Sequence, residues 1–166
     1  MPMVHLRKLE PTDLPFLYQW ENDAVMWADS DTHNPLSRQD LRDYLANTSG
    51  DIYRDGQLRL IAEREGAVVG CIDLFDFDAR NRKAALGMYV APAVRRSGVG
   101  RAMVQQVVQY AFEFLHLRMV YAVIGEHNAG CTHLYRSLGF TPSSPLRAWT
   151  LEGDAVLWQQ INPAYR

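Results

Sequence analysis

One stretch constrains the fold more than any other: Tyr89-Val90-Ala91-Pro92-Ala93-Val94-Arg95-Arg96-Ser97-Gly98-Val99-Gly100-Arg101. An apolar run ends at Pro92, a short loop carries the arginines and glycines, and a helix from Val99 to about Leu115 follows at once. Met103, Val104, Val107, Val108, Ala111 and Leu115 recur at helical spacing and form one apolar stripe. A strand therefore passes through a tight turn into a long amphipathic helix. The first amides of such a helix have no intrahelical acceptor, and the helix dipole puts partial positive charge beside them. An anion such as pyrophosphate is stabilised there without any catalytic side chain. Gly98 and Gly100 let the backbone come close to a ligand, and Arg95, Arg96 and Arg101 add charge around it. On the glycines alone, a plain strand-to-helix turn with solvated arginines is the competing reading. Two other anion-binding loops do not fit. A nucleotide P-loop needs Lys and Ser or Thr after its last glycine, where this chain has Arg101 and Ala102. The dinucleotide fingerprint Gly-x-Gly-x-x-Gly belongs in the first strand-helix unit and is absent from this loop.

Elements of both kinds surround this turn. Val4, Leu6 and Leu9 suggest a first strand, and Pro11-Thr12-Asp13 is a helix start followed by Leu14, Leu17 and Tyr18 at helical spacing. Trp27 to Pro35 is polar and loop-like; Ser37 and Asp40 form a capping box ahead of Leu41, Tyr44 and Leu45. Leu58 to Ala62, Val68 to Phe75 and Ala84 to Val90 read as a strand meander, turning at Glu65-Gly66 and at Asp78 to Arg82. Met119 to Ile124 is a short apolar strand. Cys131, Leu134, Tyr135 and Leu138 define a helix closed by Gly139. Ala148 to Leu151 and Ala155 to Ile161 form a last hairpin around Glu152-Gly153-Asp154. The order implies an α/β (α+β) fold with a mixed sheet. No Pro/Gly/Ser-rich linker divides the 166 residues, so one domain, 1–166, is expected.

Charge and cysteines narrow the function. A net charge of −2 and the lack of any basic run give no basis for nucleic-acid binding. No segment approaches the roughly 18 apolar residues of a membrane span. Cys71 and Cys131 make neither a disulfide framework nor a zinc pattern, and read as small buried apolar side chains. The expectation is a cytoplasmic protein without a metal.

At two places the chain resembles the GCN5-related N-acetyltransferase (GNAT) superfamily. Arg95-Arg96-Ser97-Gly98-Val99-Gly100 matches its [Arg/Gln]-x-x-Gly-x-[Gly/Ala] loop at every specified position. Asn128, then Tyr135-Arg136-Ser137-Leu138-Gly139-Phe140, is similar to its second signature. Within the superfamily the likeness is nearest the bacterial spermidine/spermine and ribosomal-protein N-terminal acetyltransferases. The resemblance implies a mixed, mostly antiparallel sheet, splayed in the middle and flanked by helices. It also implies acetyl transfer from acetyl-CoA to a primary amine, such as a polyamine, a peptide N-terminus or a small-molecule amine, and leaves a homodimer open. By the same likeness, the backbone of Met88, Tyr89 and Val90 would run beside pantetheine, on a strand that a bulge splays from its neighbour. The loop from Arg95 through Arg96, Ser97, Gly98, Val99 and Gly100 to Arg101 would hold the pyrophosphate, through its amides from Arg96 on. Asn128 would bond the pantetheine region, and Tyr135 would stand near the thioester sulfur.

The chemistry needs a neutral amine and a leaving thiolate. At an amine pKa of about 10.4, roughly one molecule in a thousand is neutral at pH 7. Many relatives carry a Glu on the strand before the loop, but Lys83-Ala84-Ala85-Leu86-Gly87-Met88 contains no carboxylate. Glu21, Asp29, Asp73 and Glu126 are the candidate bases, while His127 and His133 read as surface residues. Glu21, Trp27 and Asp29 lie in an aromatic and acidic segment that, with Asp73, can line the acceptor site. The alternative there is a solvated loop with a tryptophan anchored in the core. The missing carboxylate also motivates a second function, a catalytically silent CoA-binding regulatory module. A phosphate-anion binder unrelated to CoA is the third.

Overall fold

A computed structural model describes residues 3–27, 30 and 32–165. Seven strands form one sheet in the order β1-β2-β3-β4-β5-β7-β6. They are β1 (Val4–Lys8), β2 (Leu58–Arg64), β3 (Ala67–Asp78), β4 (Lys83–Val90), β5 (Met119–Gly125), β6 (Thr141–Thr150) and β7 (Gly153–Ile161). Every neighbouring pair is antiparallel except β4 and β5, which run parallel. The helices are α1 (Leu14–Glu21), α2 (Ala24–Trp27), α3 (Arg38–Asn47), α4 (Ile52–Asp55), α5 (Val99–Gln109) and α6 (Ala129–Ser137).

Strand alternation splits the core into two layers. Ile72, Leu74, Ala84, Leu86, Val120 and Ala122 face α5, where they meet Met103, Val104 and Val107. Ile61, Cys71 and Tyr89 face the other way and are covered by Leu17 and Trp20 of α1 and Leu41 of α3. Local chemistry sets the helix starts as the sequence implies. Ser37 Oγ accepts from the Asp40 amide at 3.0 Å and Asp40 Oδ2 accepts from the Ser37 amide at 2.7 Å. Ahead of α1, Asp13 accepts from the Glu10 amide at 2.8 Å and takes a bidentate pair from Arg7 on β1, which pins that helix to the sheet.

Three expectations are corrected. The helix after the glycine loop turns π-helical over Tyr110–Phe114 instead of running on as α-helix. The last hairpin begins at Thr141, not Ala148. β6 is an edge strand exposed along most of its length, so it lacks an apolar face to announce it, and Pro142 and Pro145 read as breakers. The short helices α2 and α4 carry too few turns for a periodic signal. Cys131 is only partly buried, whereas Cys71 is buried and its thiol is pushed up to about 12, chiefly by desolvation. Among the described residues no helix is long and apolar enough to cross a membrane.

β3 and β4 approach closely at Gly70, opposite Val90. A Cβ at Gly70 would fall inside the van der Waals envelope of the Tyr89 carbonyl oxygen, a backbone atom that cannot swing aside. Gly70→Ala is therefore expected to cost about 2 kcal/mol through overpacking and to lower the melting temperature by several degrees. Differential scanning calorimetry checks this, and an unchanged transition would show that the strands part freely there.

Candidate active site

The central feature of the sheet is a split. β4 and β5 pair only at Lys83↔Met119, Ala84↔Val120 and Ala85↔Tyr121. Beyond Ala85 each strand keeps its outer partner: β4 stays on β3 as far as Gly70↔Val90, and β5 stays on β7 as far as Gly125↔Ala155. The inner edge of β4 from Leu86 to Val90 is thus unpaired. The irregularity in this part of the sheet lies on β3, between Phe75 and Asp78, where Asp76 has φ 46°. A bulge on β4 itself is not what opens the split. The two strands simply diverge.

The orientation of β4 follows from one bond. The Ala91 amide donates to the Val69 carbonyl at 2.9 Å, toward β3. Backbone groups alternate along a strand, so those of Val90 and Met88 point the opposite way, into the split. Those of Tyr89 are used on Cys71 of β3. Of the three residues expected beside pantetheine, Met88 and Val90 offer backbone groups, and Tyr89 instead packs its ring on Trp20 at 5.0 Å.

The glycine turn stands at the open end of β4. Arg96 has φ 62° and Gly98 φ 86°, both in the left-handed region, and α5 begins at Val99. Its first backbone bond runs from the Ala102 amide to the Gly98 carbonyl at 3.1 Å. Among the described residues the amides from Arg96 to Arg101 have no backbone acceptor. Ser97 fixes the turn from inside: its hydroxyl donates to the Val94 carbonyl and accepts from Arg64 Nη1 of β2 at 2.9 Å. Gly100 packs against Leu134 of α6 and Met88 of β4. Two of the three arginines expected around an anion point elsewhere. Arg95 Nε donates to the Val90 carbonyl at 3.0 Å, and Arg101 Nη2 donates to Ser137 Oγ at 2.7 Å.

α6 supplies the second group. Asn128 caps it, its Oδ1 accepting from the Cys131 amide at 3.1 Å, while its Nδ2 donates to no described residue. Tyr135 is 2% exposed and packs edge-on against Phe140, ring centres 4.9 Å apart. Its hydroxyl is not one of the buried polar atoms left without a partner, and it makes no hydrogen bond to another described residue, so the oxygen lies at the accessible end of the side chain. Desolvation holds the phenol well above its ordinary pKa, and the neighbouring Cys131 adds to this.

On the opposite face, α1, α3, β2 and β3 enclose a cavity of about 260 Å³ lined by Glu21, Asp40, Tyr44, Gln57, Arg59 and Asp73, with Leu36, Leu41 and Leu58. The structure brings Glu21 and Asp73 together through Arg59, which sequence reasoning missed. Arg59 Nε and Nη2 each meet an Asp73 oxygen at 2.7 Å, and Nη1 meets Glu21 Oε1 at 2.6 Å. Asp73 is the cross-strand partner of Gly87, just beyond the last β4–β5 pair. A carboxylate absent from β4 is thus delivered by β3 over a residue with no side chain. Trp27 donates its Nε1–H to the Glu21 carbonyl at 3.0 Å and does not line the cavity. Asp29 lies outside the described residues. Glu126, His127 and His133 are exposed.

Comparison with known proteins agrees with this geometry. A family model described as an acetyltransferase (GNAT) domain matches residues 4–141. The spermidine N(1)-acetyltransferase of Escherichia coli K12 is 26% identical over an alignment spanning all of this chain and 84% of that protein. A putative ribosomal N-acetyltransferase of Bacillus subtilis is 29% identical over 50% of this chain and 45% of its own length. The crystal structure of spermidine N-acetyltransferase from Vibrio cholerae in complex with CoA and spermine superposes with a TM-score of 0.86 at 22% identity, covering 98% of both chains. A dodecameric structure of the Vibrio cholerae enzyme gives 0.83 at 23%, covering 98% of this chain and 96% of that one. With the family model spanning most of its length, the chain belongs to the GNAT acetyltransferases and moves acetyl groups from acetyl-CoA to amines.

Proposed function

We propose that the acceptor is a small polycationic amine of the polyamine class, which enters the cavity under α1 and α3 and meets the thioester at the split. The observation that carries this is the split itself, with unpaired amides at its open end on one face and, on the other, a carboxylate-lined cavity whose Asp73 is the cross-strand partner of Gly87 on the unpaired stretch of β4. Three carboxylates and one guanidinium line that cavity, an excess of negative charge suited to a cation. The spermidine-acetylating relatives point to the same class.

In this reading the amides from Arg96 to Arg101 hold the diphosphate of CoA. The pantetheine arm lies along β4 and takes over the Val90 carbonyl that Arg95 now covers, in the manner of an added strand. Asn128 Nδ2 donates to the same arm. An inward amide, Met88 or Val90, polarises the thioester carbonyl as the amine attacks. The attacking nitrogen gives its extra proton to water, and the tetrahedral intermediate then expels the thiolate. Tyr135 serves it as a hydrogen-bond donor: burial has made the phenol a weaker acid still than a thiol of ordinary pKa near 8.5, so complete proton transfer runs uphill.

The test is a panel of spermidine, spermine, an aminoacyl peptide and an aminoglycoside with acetyl-CoA, following free thiol. The polyamines are expected to turn over with the lowest KM. Preference for the peptide would overturn the substrate class. CoA binding without turnover on any amine would favour the silent regulatory module.

A further inference from the structure

We infer that Arg59 is a positioning residue that sets the protonation state of the bound acceptor: by engaging Glu21 and Asp73 it prevents the pocket from holding the reacting amine as an unreactive ammonium ion. This rests on the acceptor reading of the cavity. The physical problem is a conflict between binding and reactivity. Negative charge attracts a cationic substrate, yet a carboxylate within about 4–6 Å of an amine raises the amine's pKa by one unit or more. The lone pair that attacks the thioester exists only in the neutral form.

The cavity resolves the conflict by arrangement. Glu21 faces Arg59 from α1, Tyr44 from α3, and Cys71 and Asp73 from β3; Asp40 of α3 lines the cavity without meeting Arg59, which is the only cation among the described lining residues. The carboxylate at the edge of the split, Asp73 opposite Gly87, is taken bidentately. Glu21 is taken by the third donor. Asp40, which Arg59 does not touch, is spent on the Ser37 cap farther out on α3. Charge near the reacting end is therefore compensated, while charge remote from it is not. The arginine is well placed to do this. Only 19% of its side chain is exposed, and the paired carboxylates keep it charged against the cost of burial. Polycations thus gain affinity from Asp40 without a matching penalty at the nitrogen that reacts.

The sign of the effect is fixed. Rate rises with pH as the bound amine loses its proton, so anything that raises the amine's pKa moves the acid limb of kcat to higher pH. Arg59→Gln is expected to move that limb upward by about one pH unit while lowering KM for spermidine, because the ammonium form is held more tightly. Asp73→Asn is expected to move it downward and to raise KM. Arg59→Lys, which keeps the charge, should sit close to the wild type. The experiment is the kcat and KM profile for spermidine from pH 6 to 10 at saturating acetyl-CoA, with circular dichroism of each variant. Should Arg59→Gln fail to fold, the downward shift in Asp73→Asn decides alone. A limb that stays put in Asp73→Asn while the wild type turns over would overturn the role given to Arg59. A wild type that acetylates no amine would instead remove the acceptor reading, and this inference with it.

Discussion

Replacing Tyr135 with phenylalanine is expected to lower kcat by about 100-fold or more and to leave CoA affinity and stability essentially unchanged. The ring is what packs. It sits edge-on against Phe140 in a fully buried site, and phenylalanine fills the same volume. The hydroxyl makes no hydrogen bond to another described residue, so the fold does not depend on it. The oxygen is not among the buried polar atoms left without a partner, so it reaches the accessible surface, where it can donate to the departing thiolate in the proposed mechanism. Stopped-flow thiol release and calorimetric titration of CoA check the two halves. Equal turnover in the variant would remove Tyr135 from the chemistry. A large loss of CoA affinity would reassign it to binding.

A second large effect is expected at Gly98. Its φ of 86° places it where a β-branched residue is a genuine outlier, and it is the N-cap of α5. Valine there either strains the turn or rotates the peptides that follow, and it is those peptides that present the free amides. Gly98→Val should weaken CoA binding by at least about tenfold, equivalent to the 1–2 kcal/mol that a left-handed residue costs. kcat at saturating acetyl-CoA should change much less. Gly100→Ala is the control: a Cβ there meets Leu134 and Met88 at 3.5 Å, an ordinary contact, so affinity should hold. Isothermal titration of CoA against both variants measures the difference. Equal weakening by the two would mean that bulk matters in this turn and dihedral angle does not.

Much of this was written in local patterns. The loop from Arg95 to Gly100 carries its own dihedral requirement, and the apolar stripe from Met103 to Ala111 names the face of α5 that is buried. The capping box at Ser37 and the left-handed Gly139 behaved as their chemistry demands. The split in the sheet was not legible from the residues themselves, because strand divergence is a relation between β4 and β5 and neither sequence encodes it alone. The Arg59 clamp was partly legible. In Leu58-Arg59-Leu60-Ile61, Arg59 shares the period-2 face of the fully buried Ile61, and a charge there needs partners. Identifying Glu21 and Asp73 as those partners required the fold, since they come from an element 38 residues before it and a strand 14 residues after it. The same holds for Asn128, whose helix-cap bond, competing with the ligand contact proposed for it, is visible only when Cys131 is in place.

The claim beneath all of these is that free amides at the start of α5 grip the diphosphate of acetyl-CoA. A crystal structure of the CoA complex tests it most directly. Diphosphate oxygens within about 3.2 Å of several amides from Arg96 to Arg101, with the pantetheine arm against Met88 and Val90, are the expected result. A diphosphate held elsewhere, with those amides still facing solvent, would contradict it.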